Sequence, residues 1–336
     1  PDRKIPRCDP ERFKRAADEI LDNSGVEVLY HTQVADVVAS DGVVEKVIVS
    51  NKDGLVAIKP KVVIDCTGDG DVGAWAGAAF EKAESLQPMS LHFRIAYLQP
   101  TYELRRRCAK VLERASRRGD LDLYAGPYLA TFSGNDAYFN ATRYAGDNTN
   151  PAEWTRAEIQ GRKDAWTMFQ LWKEELEEFK DAYFMTSGPV AGGRESRRIV
   201  GDYVLTENDV KEGRRHEDVV VLGAWRLDQH PGEESGYHDI AWIPPYDIPF
   251  RTLIPSDFEN LLVAGRCHSA TSVALSSSRV TATAMGMGQA AGTAAALTDG
   301  GMVRRVNIDE LKATLITDGA ILESPDSEIS VGNPNY

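Results

Sequence analysis

Apolar residues recur along this chain in changing rhythms. From Pro10 the spacing is helical: Phe13, Ala17, Ile20 and Leu21 fall on one face, Asp9 stands where a cap would, Pro10 suits the first helical position, and Gly25 ends the turn. The period then shortens. Val26 to Leu29 reads as a strand, followed by three β-like runs, Gln33 to Ala39, Val43 to Ser50 and Leu55 to Lys59. Asp41-Gly42 and Asn51-Lys52-Asp53-Gly54 separate them with hairpin chemistry, so a β-meander is predicted. Val62-Val63-Ile64 is apolar throughout, as in a strand buried on both faces of a parallel sheet, and runs into Cys66-Thr67-Gly68-Asp69-Gly70.

From about Leu86 to Thr252 glycines, aromatics and charges interleave. Tyr102 to Arg118 reads as a helix. Glu153 to Lys180 is a second, with Pro151 near its start and Trp166, Phe169, Leu171 and Trp172 within it. This stretch is read as a separate α+β domain inserted into the first. The last third returns to the earlier style. Asn260 to Gly265 is a buried strand ending in glycine, and Thr281 to Leu297 is an Ala- and Gly-rich helix whose backbone can approach a neighbour or ligand closely.

Composition narrows the class. With 336 residues, 42% hydrophobic and 26% charged, the chain has the make-up of a globular protein large enough to bury a core without staples. No apolar run reaches the length of a membrane span, and Pro1-Asp2-Arg3-Lys4 is too polar to open a signal peptide. A net charge of −13 argues against a nucleic-acid partner. The basic run Arg105-Arg106-Arg107, Lys110, Arg114, Arg117 and Arg118 reads as a solvated helix face. Cys8, Cys66, Cys108 and Cys267 form no C-x-x-C pair, so free thiols and a reducing, cytoplasmic setting are expected. The six histidines show no metal-ligand spacing, and no metal site is expected.

Gly68-Asp69-Gly70-Asp71-Val72-Gly73 has the form G-x-G-x-x-G after a strand, which by itself suggests the phosphate loop of an NAD(P)-dependent dehydrogenase. Two features oppose this. Asp69 and Asp71 would set two carboxylates beside a pyrophosphate, and no strand ends in an acidic ribose ligand about 20 residues later. Glycines that merely permit tight turns are the plainer reading. The second cluster, Gly286 to Gly292, lies inside a helical pattern and suits close packing against a flat ligand or sheet better than phosphate binding.

Four blocks, in order, carry a resemblance. Val62 to Asp71, Gly192 to Gly201, Asn260 to Arg266 with Ser269, Ala270 and Arg279, and Gly288 to Ala296 resemble segments of a family of FAD-dependent oxidoreductases, distant relatives of the fumarate reductase and glutathione reductase type flavoproteins. The likeness runs from about Asp9 to Leu297. It implies an α/β fold: an FAD/NAD(P)-binding Rossmann-like domain, incomplete and with a β-meander, plus an inserted α+β domain. Residues 1–85 and 253–298 would be two parts of the FAD-binding domain, 86–252 the substrate or cap domain, and 299–336 a C-terminal extension. Family members open with a strand, a G-x-G-x-x-G turn and a helix that hold the ADP half of FAD. Nothing before Asp9 can be that unit, so a truncated or cleaved segment or a second chain carrying it is expected.

The resemblance further implies that Val34 passes the adenine, that Thr67, Gly68 and Asp69 and then Gly265 and Arg266 sit at the ligand-binding strand ends, and that the helix bearing Gly288, Gln289 and Ala290 aims its positive end at the flavin. Val34 is equally readable as a core valine. The substrate would be a small polar molecule. Three arginines crowd the segment Arg194-Glu195-Ser196-Arg197-Arg198, suited to an anionic substrate or to ion pairs with Glu195, Asp202 or Glu207. Arg194 and Arg198 are candidate catalytic residues. His268, two residues past Arg266, is the first candidate base and His230 the second, although structural histidines are common. The competing functions are an NAD(P)-dependent dehydrogenase and a non-catalytic subunit that completes another chain's flavin site.

Overall fold

The computed structural model describes residues 9–131, 134–230, 235–236 and 240–324. Cys8 lies outside them. In chain order the elements are α1 (Pro10–Asn23), β1 (Gln33–Ser40), β2 (Val43–Asn51), β3 (Gly54–Ile58), β4 (Val63–Asp65), α2 (Asp71–Ala76), β5 (Phe80–Glu81), β6 (Phe93–Ala96), α3 (Tyr102–Arg118), β7 (Tyr124–Ala130), β8 (Asp136–Thr142) and α4 (Pro151–Glu175). There follow β9 (Tyr183–Ser187), β10 (Arg198–Ile199), α5 (Glu207–Glu212), β11 (Val219–Gly223), β12 (Tyr246–Pro249), β13 (Leu261–Val263), α6 (Ser272–Ser278), α7 (Thr281–Leu297) and α8 (Ile308–Thr317). The described residues fall into two compact units, one taking in 9–30, 88–193 and 235–236, the other 31–87, 194–230 and 240–324.

The first unit holds an antiparallel sheet in the order β7-β8-β6-β9, with α3 and α4 packed on it. Alternation along β8 sends Ala137, Phe139 and Ala141 into the core, while Tyr138 and Asn140 stay half-buried. Phe139 stacks on Phe93 at 5.1 Å and on the buried Trp172 of α4 at 4.8 Å. Asn150 caps α4 by accepting from the Ala152 amide, and the helix stops at Glu175, short of the Lys180 expected. The arginines of α3 pair with carboxylates, Arg106 with Glu103, Arg114 with Glu175 and Arg117 with Glu113, as a solvated basic face should. Asp9 caps α1 as predicted, yet no residue of α1 is buried. Val26 to Leu29 is not a strand: a strand exists through hydrogen bonds to a neighbour, and among the described residues these four pair with none.

The second unit contains the meander, β1-β2-β3, in the expected antiparallel order. The two short apolar strands meet in one sheet: β13 runs parallel to β4, Leu261 opposite Val63 and Val263 opposite Asp65. Asn260 ties this pair to the meander. Its side chain accepts from the Val44 amide at 2.8 Å and donates to the Val44 and Lys61 carbonyls at 3.0 and 3.3 Å. A separate antiparallel pair, β11 with β12, packs with α7 and α8 around Tyr246, Ile248, Met287, Ala290 and Leu311.

Candidate cofactor and active site

Two loops at the carboxyl ends of β4 and β13 are laced together. This is the end of a parallel sheet where ligands bind in open α/β folds. The buried Asp65 closes β4 by bending its own loop: its carboxylate accepts from the Thr67 amide (3.0 Å), the Thr67 hydroxyl (2.7 Å) and the Gly73 amide (2.9 Å). On the other strand the Ala264 amide donates to the Asp65 carbonyl at 3.0 Å. Gly68 and Gly265 then turn the chain with φ of +83° and +86°, a region open to glycine and strained for other residues. The Arg266 guanidinium lies across Gly68, so close that a Cβ there would sit 2.6 Å from Nη2. Its Nη1 donates to Asp69 at 2.9 Å. Ser196 also donates to the Asp69 carboxylate, at 2.6 Å, and Arg197 donates to the Asp69 carbonyl and to the Asp71 carboxylate. Burial raises the Asp71 pKa, against the lowering effect of Arg197.

This lacing decides what the G-x-G-x-x-G match can do. A phosphate loop presents free amides at a helix N-terminus. Here the Asp71 amide donates to the Thr67 hydroxyl (2.9 Å), the Gly73 amide to Asp65, and the Ala74 amide to the Gly70 carbonyl. The motif serves a tight strand-to-helix turn.

Beside the strand ends runs a buried polar network. Arg198, in β10, donates to Glu195 (2.5 Å) and to the Ala270 carbonyl (2.8 Å). Glu195, only 1% exposed, also accepts from Gln87 at 3.2 Å, and Gln87 accepts the His230 amide at 3.2 Å. His230 Nε2 stands 3.4 Å from Asp228, and Arg279 donates to the Asp228 carbonyl at 2.9 Å. Burial lowers the Arg279 pKa, opposed by Asp228 and Glu195. His268 is fully enclosed. Its Nε2 is 2.8 Å from the Ser278 hydroxyl, and Nδ1 has no partner among the described residues. Burial, reinforced by Arg198, lowers its pKa to about 3, so it is neutral.

The predicted site residues therefore separate. Thr67, Gly68, Asp69, Gly265 and Arg266 are brought together at the strand ends, with Arg198, His230 and His268 in the adjoining network. Arg194 is buried, and no strand includes it, since β10 starts only at Arg198. Val34 is half-buried in β1 opposite Val49. Gly288, Gln289 and Ala290 fall mid-way along α7, not at its start. Ala290 packs in the core, Gln289 is exposed, and space is open beside Gly288. Sequence reasoning missed Gln87 and Asp228, which carry no local signal. Arg279 was visible only as part of a family block.

A separate cleft of about 580 Å³ in this unit is lined by Arg215, Asp218, Arg251 and Arg304. Its arginines are neutralised by Asp247, Asp218 and Asp202. Among the described residues no group of histidine, cysteine and carboxylate side chains could hold a metal ion, and no helix is long and apolar enough to cross a membrane.

In the solved structures, a geranylgeranyl bacteriochlorophyll reductase-like protein from Thermoplasma acidophilum is similar over 92% of this chain and 59% of its own, with 12% identity and a TM-score of 0.45. A flavin-dependent brominase matches over 91% and 59%, with 12% identity and a TM-score of 0.43. L-proline dehydrogenase from P. horikoshii matches over 94% and 61%, with 11% identity and a TM-score of 0.37. The chain thus spans about three fifths of the length of each of these proteins. No curated protein matches it. The profile of the FAD-dependent oxidoreductases matches residues 2–315, and the chain belongs to that family.

Proposed function

We propose that this chain is the larger part of an enzyme that moves a hydride between FAD and a small polar organic substrate. The observation that carries the reading is the parallel pair β4 and β13 with its ends joined by Arg266 and Asp69. The residues there fit a flavin. Gly265 carries no side chain at its strand end, and only the Ala284 Cβ lies near, 3.9 Å from where its own Cβ would stand, so the backbone there can come close to a flat ligand. Thr67, Gly68, Asp69, Gly265 and Arg266 would line the flavin, the start of α7 would supply positive potential to its reduced form, and Val34 would meet the adenine through its backbone. Gly288, Gln289 and Ala290 would act through α7 itself. Bound FAD would supply the two-electron acceptor. Because the Asp71 and Gly73 amides of the Gly68–Gly73 loop are used internally, the diphosphate-binding unit would come from a segment outside this sequence or from a partner chain. The same observation counts against an NAD(P)-dependent dehydrogenase built on that loop. We further propose that 86–252 forms the substrate domain and that 1–85 and 253–298 belong to the FAD-binding domain.

For an alcohol or amine substrate, FAD when bound would supply the acceptor for a hydride, and this chain's part would be to take up the heteroatom proton at a base. His230 suits that role better than His268, since its Nε2 lies 3.4 Å from a carboxylate, Asp228, while His268 is wholly buried and held neutral. His268 would then be a positioning residue beneath Arg198. Arg198 would fix Glu195, and Arg194 would meet the substrate's polar end. The test is steady-state and rapid-mixing kinetics of the flavin-loaded protein. His230→Gln is expected to slow flavin reduction by about 100-fold or more and to abolish the acidic limb of the pH profile. An unchanged profile would remove His230 from the mechanism.

A further inference from the structure

Just beyond β11 the chain builds a cluster of two indoles and a cation. Two bonds hold its backbone. The Trp225 carbonyl accepts from the Ser277 hydroxyl of α6 at 2.5 Å, and the Leu227 amide donates to the Ala241 carbonyl at 2.8 Å. The second of these bonds brings residues 226 and 242 side by side. The Arg226 guanidinium carbon consequently lies 5.1 Å from the Trp225 ring centroid and 5.7 Å from that of Trp242, within cation–π range of both.

What this cluster lacks is an acceptor. Arg226 forms no ion pair or hydrogen bond among the described residues, although the chain carries 51 Asp and Glu against 38 Lys and Arg. Its Nε–H and the Trp225 indole N–H are both shielded from solvent and, among the described residues, both without partners. Buried donors are almost always satisfied, and an unsatisfied pair in one place calls for an explanation. The two rings lie close to the Arg226 guanidinium carbon, while its terminal nitrogens, unlike Nε, are not among the shielded atoms and are the donors that could grip a planar oxyanion.

We infer that Trp225, Arg226 and Trp242 form a binding site for a carboxylate, with Arg226 and the Trp225 indole as donors and the two rings as walls for a flat organic body. The inference does not depend on the flavin: every group in it belongs to this chain. The cleft lined by Arg215, Arg251 and Arg304 offers the contrast, because these three already hold carboxylates.

Benzoate, acetate and inorganic phosphate can each be titrated into the full chain without flavin, following the indole N–H signals of its six tryptophans by nitrogen-15 nuclear magnetic resonance. Trp225→Phe identifies the Trp225 signal and removes one donor while keeping a ring. Benzoate should shift that signal saturably and bind more tightly than acetate. Arg226→Gln should weaken benzoate about 10-fold or more, the loss of a charge-assisted contact, and Trp225→Phe by a smaller factor. Since Arg226→Gln also removes the cation between the rings, Arg226→Lys serves as its control for folding. It should keep part of the affinity. Phosphate binding more tightly than benzoate would overturn the carboxylate assignment. A Trp225 signal indifferent to all three anions, or wild-type affinity in both Arg226→Gln and Trp225→Phe, would overturn the site.

Discussion

His268 shows how burial alone assigns a residue its chemistry. The folded protein holds its pKa near 3, well below the ordinary value of 6.5, chiefly through burial and then through Arg198. The unfolded chain therefore takes up a proton between about pH 6.5 and pH 3 that the folded chain refuses. Stability linked to this group is present above pH 6.5 and is lost as pH falls through that window, at a slope approaching about 1.4 kcal/mol per pH unit. In His268→Gln, which retains a nitrogen able to reach Ser278, that component is absent. Urea unfolding of both proteins at pH 7 and pH 5 should show the wild type losing about 1–2 kcal/mol more than the variant. Parallel losses would mean that water reaches the imidazole in the folded state. This residue also marks the limit of reading chemistry from position. Its place two residues past Arg266 suggests a base, and only the side chains packed around it show an internal group.

At the scale of elements, the fold rests on small polar bridges between short strands. β4 and β13 have three residues each, too few for their own hydrogen bonds to hold the meander beside them. Asn260 does so by acting as an extra backbone unit toward Val44. Asn260→Ala would leave both polar groups of Val44 without these partners in a buried place, and should lower stability by about 2 kcal/mol. Amide exchange at Val44 should accelerate along with it, while Trp172 and its neighbours in the other unit should exchange as before. A change below about 0.5 kcal/mol would mean that water replaces the amide. Elements with strong periodicity were legible in the sequence. The meander runs, the Thr281–Leu297 helix and the two apolar strands all appear where their patterns place them. The sheet of β6 to β9 was not legible, because half of its positions are polar or small on the second face and its strands are interrupted by long helices. Val26 to Leu29 shows the converse, a strand pattern with no neighbour among the described residues to complete it.

At the scale of the whole molecule, the question is which half of FAD this chain can recognise. The strand-end loops bring together Gly68, Asp69, Gly265 and Arg266, the residues proposed above to line the flavin, with the Arg266 guanidinium across Gly68. The loop whose sequence suggests phosphate binding has its Asp71, Gly73 and Ala74 amides engaged by Thr67, Asp65 and Gly70. It also carries Asp69 and Asp71, in a chain of net charge −13. A diphosphate placed there would meet these carboxylates and would have to displace the bonds already made by the Asp71, Gly73 and Ala74 amides, an arrangement that disfavours binding. The adenosine half should therefore add little affinity. Calorimetric titration of this chain with riboflavin, FMN and FAD should give three weak and similar constants, within about 10-fold of one another, a span of roughly 1.4 kcal/mol. Adding a polypeptide that carries a strand, a G-x-G-x-x-G turn and a helix should tighten FAD selectively, because only FAD presents a diphosphate to its amides. Submicromolar FAD binding by this chain alone, with riboflavin far weaker, would show that the diphosphate finds its donors within these 336 residues and would return the Gly68–Gly73 loop to the site.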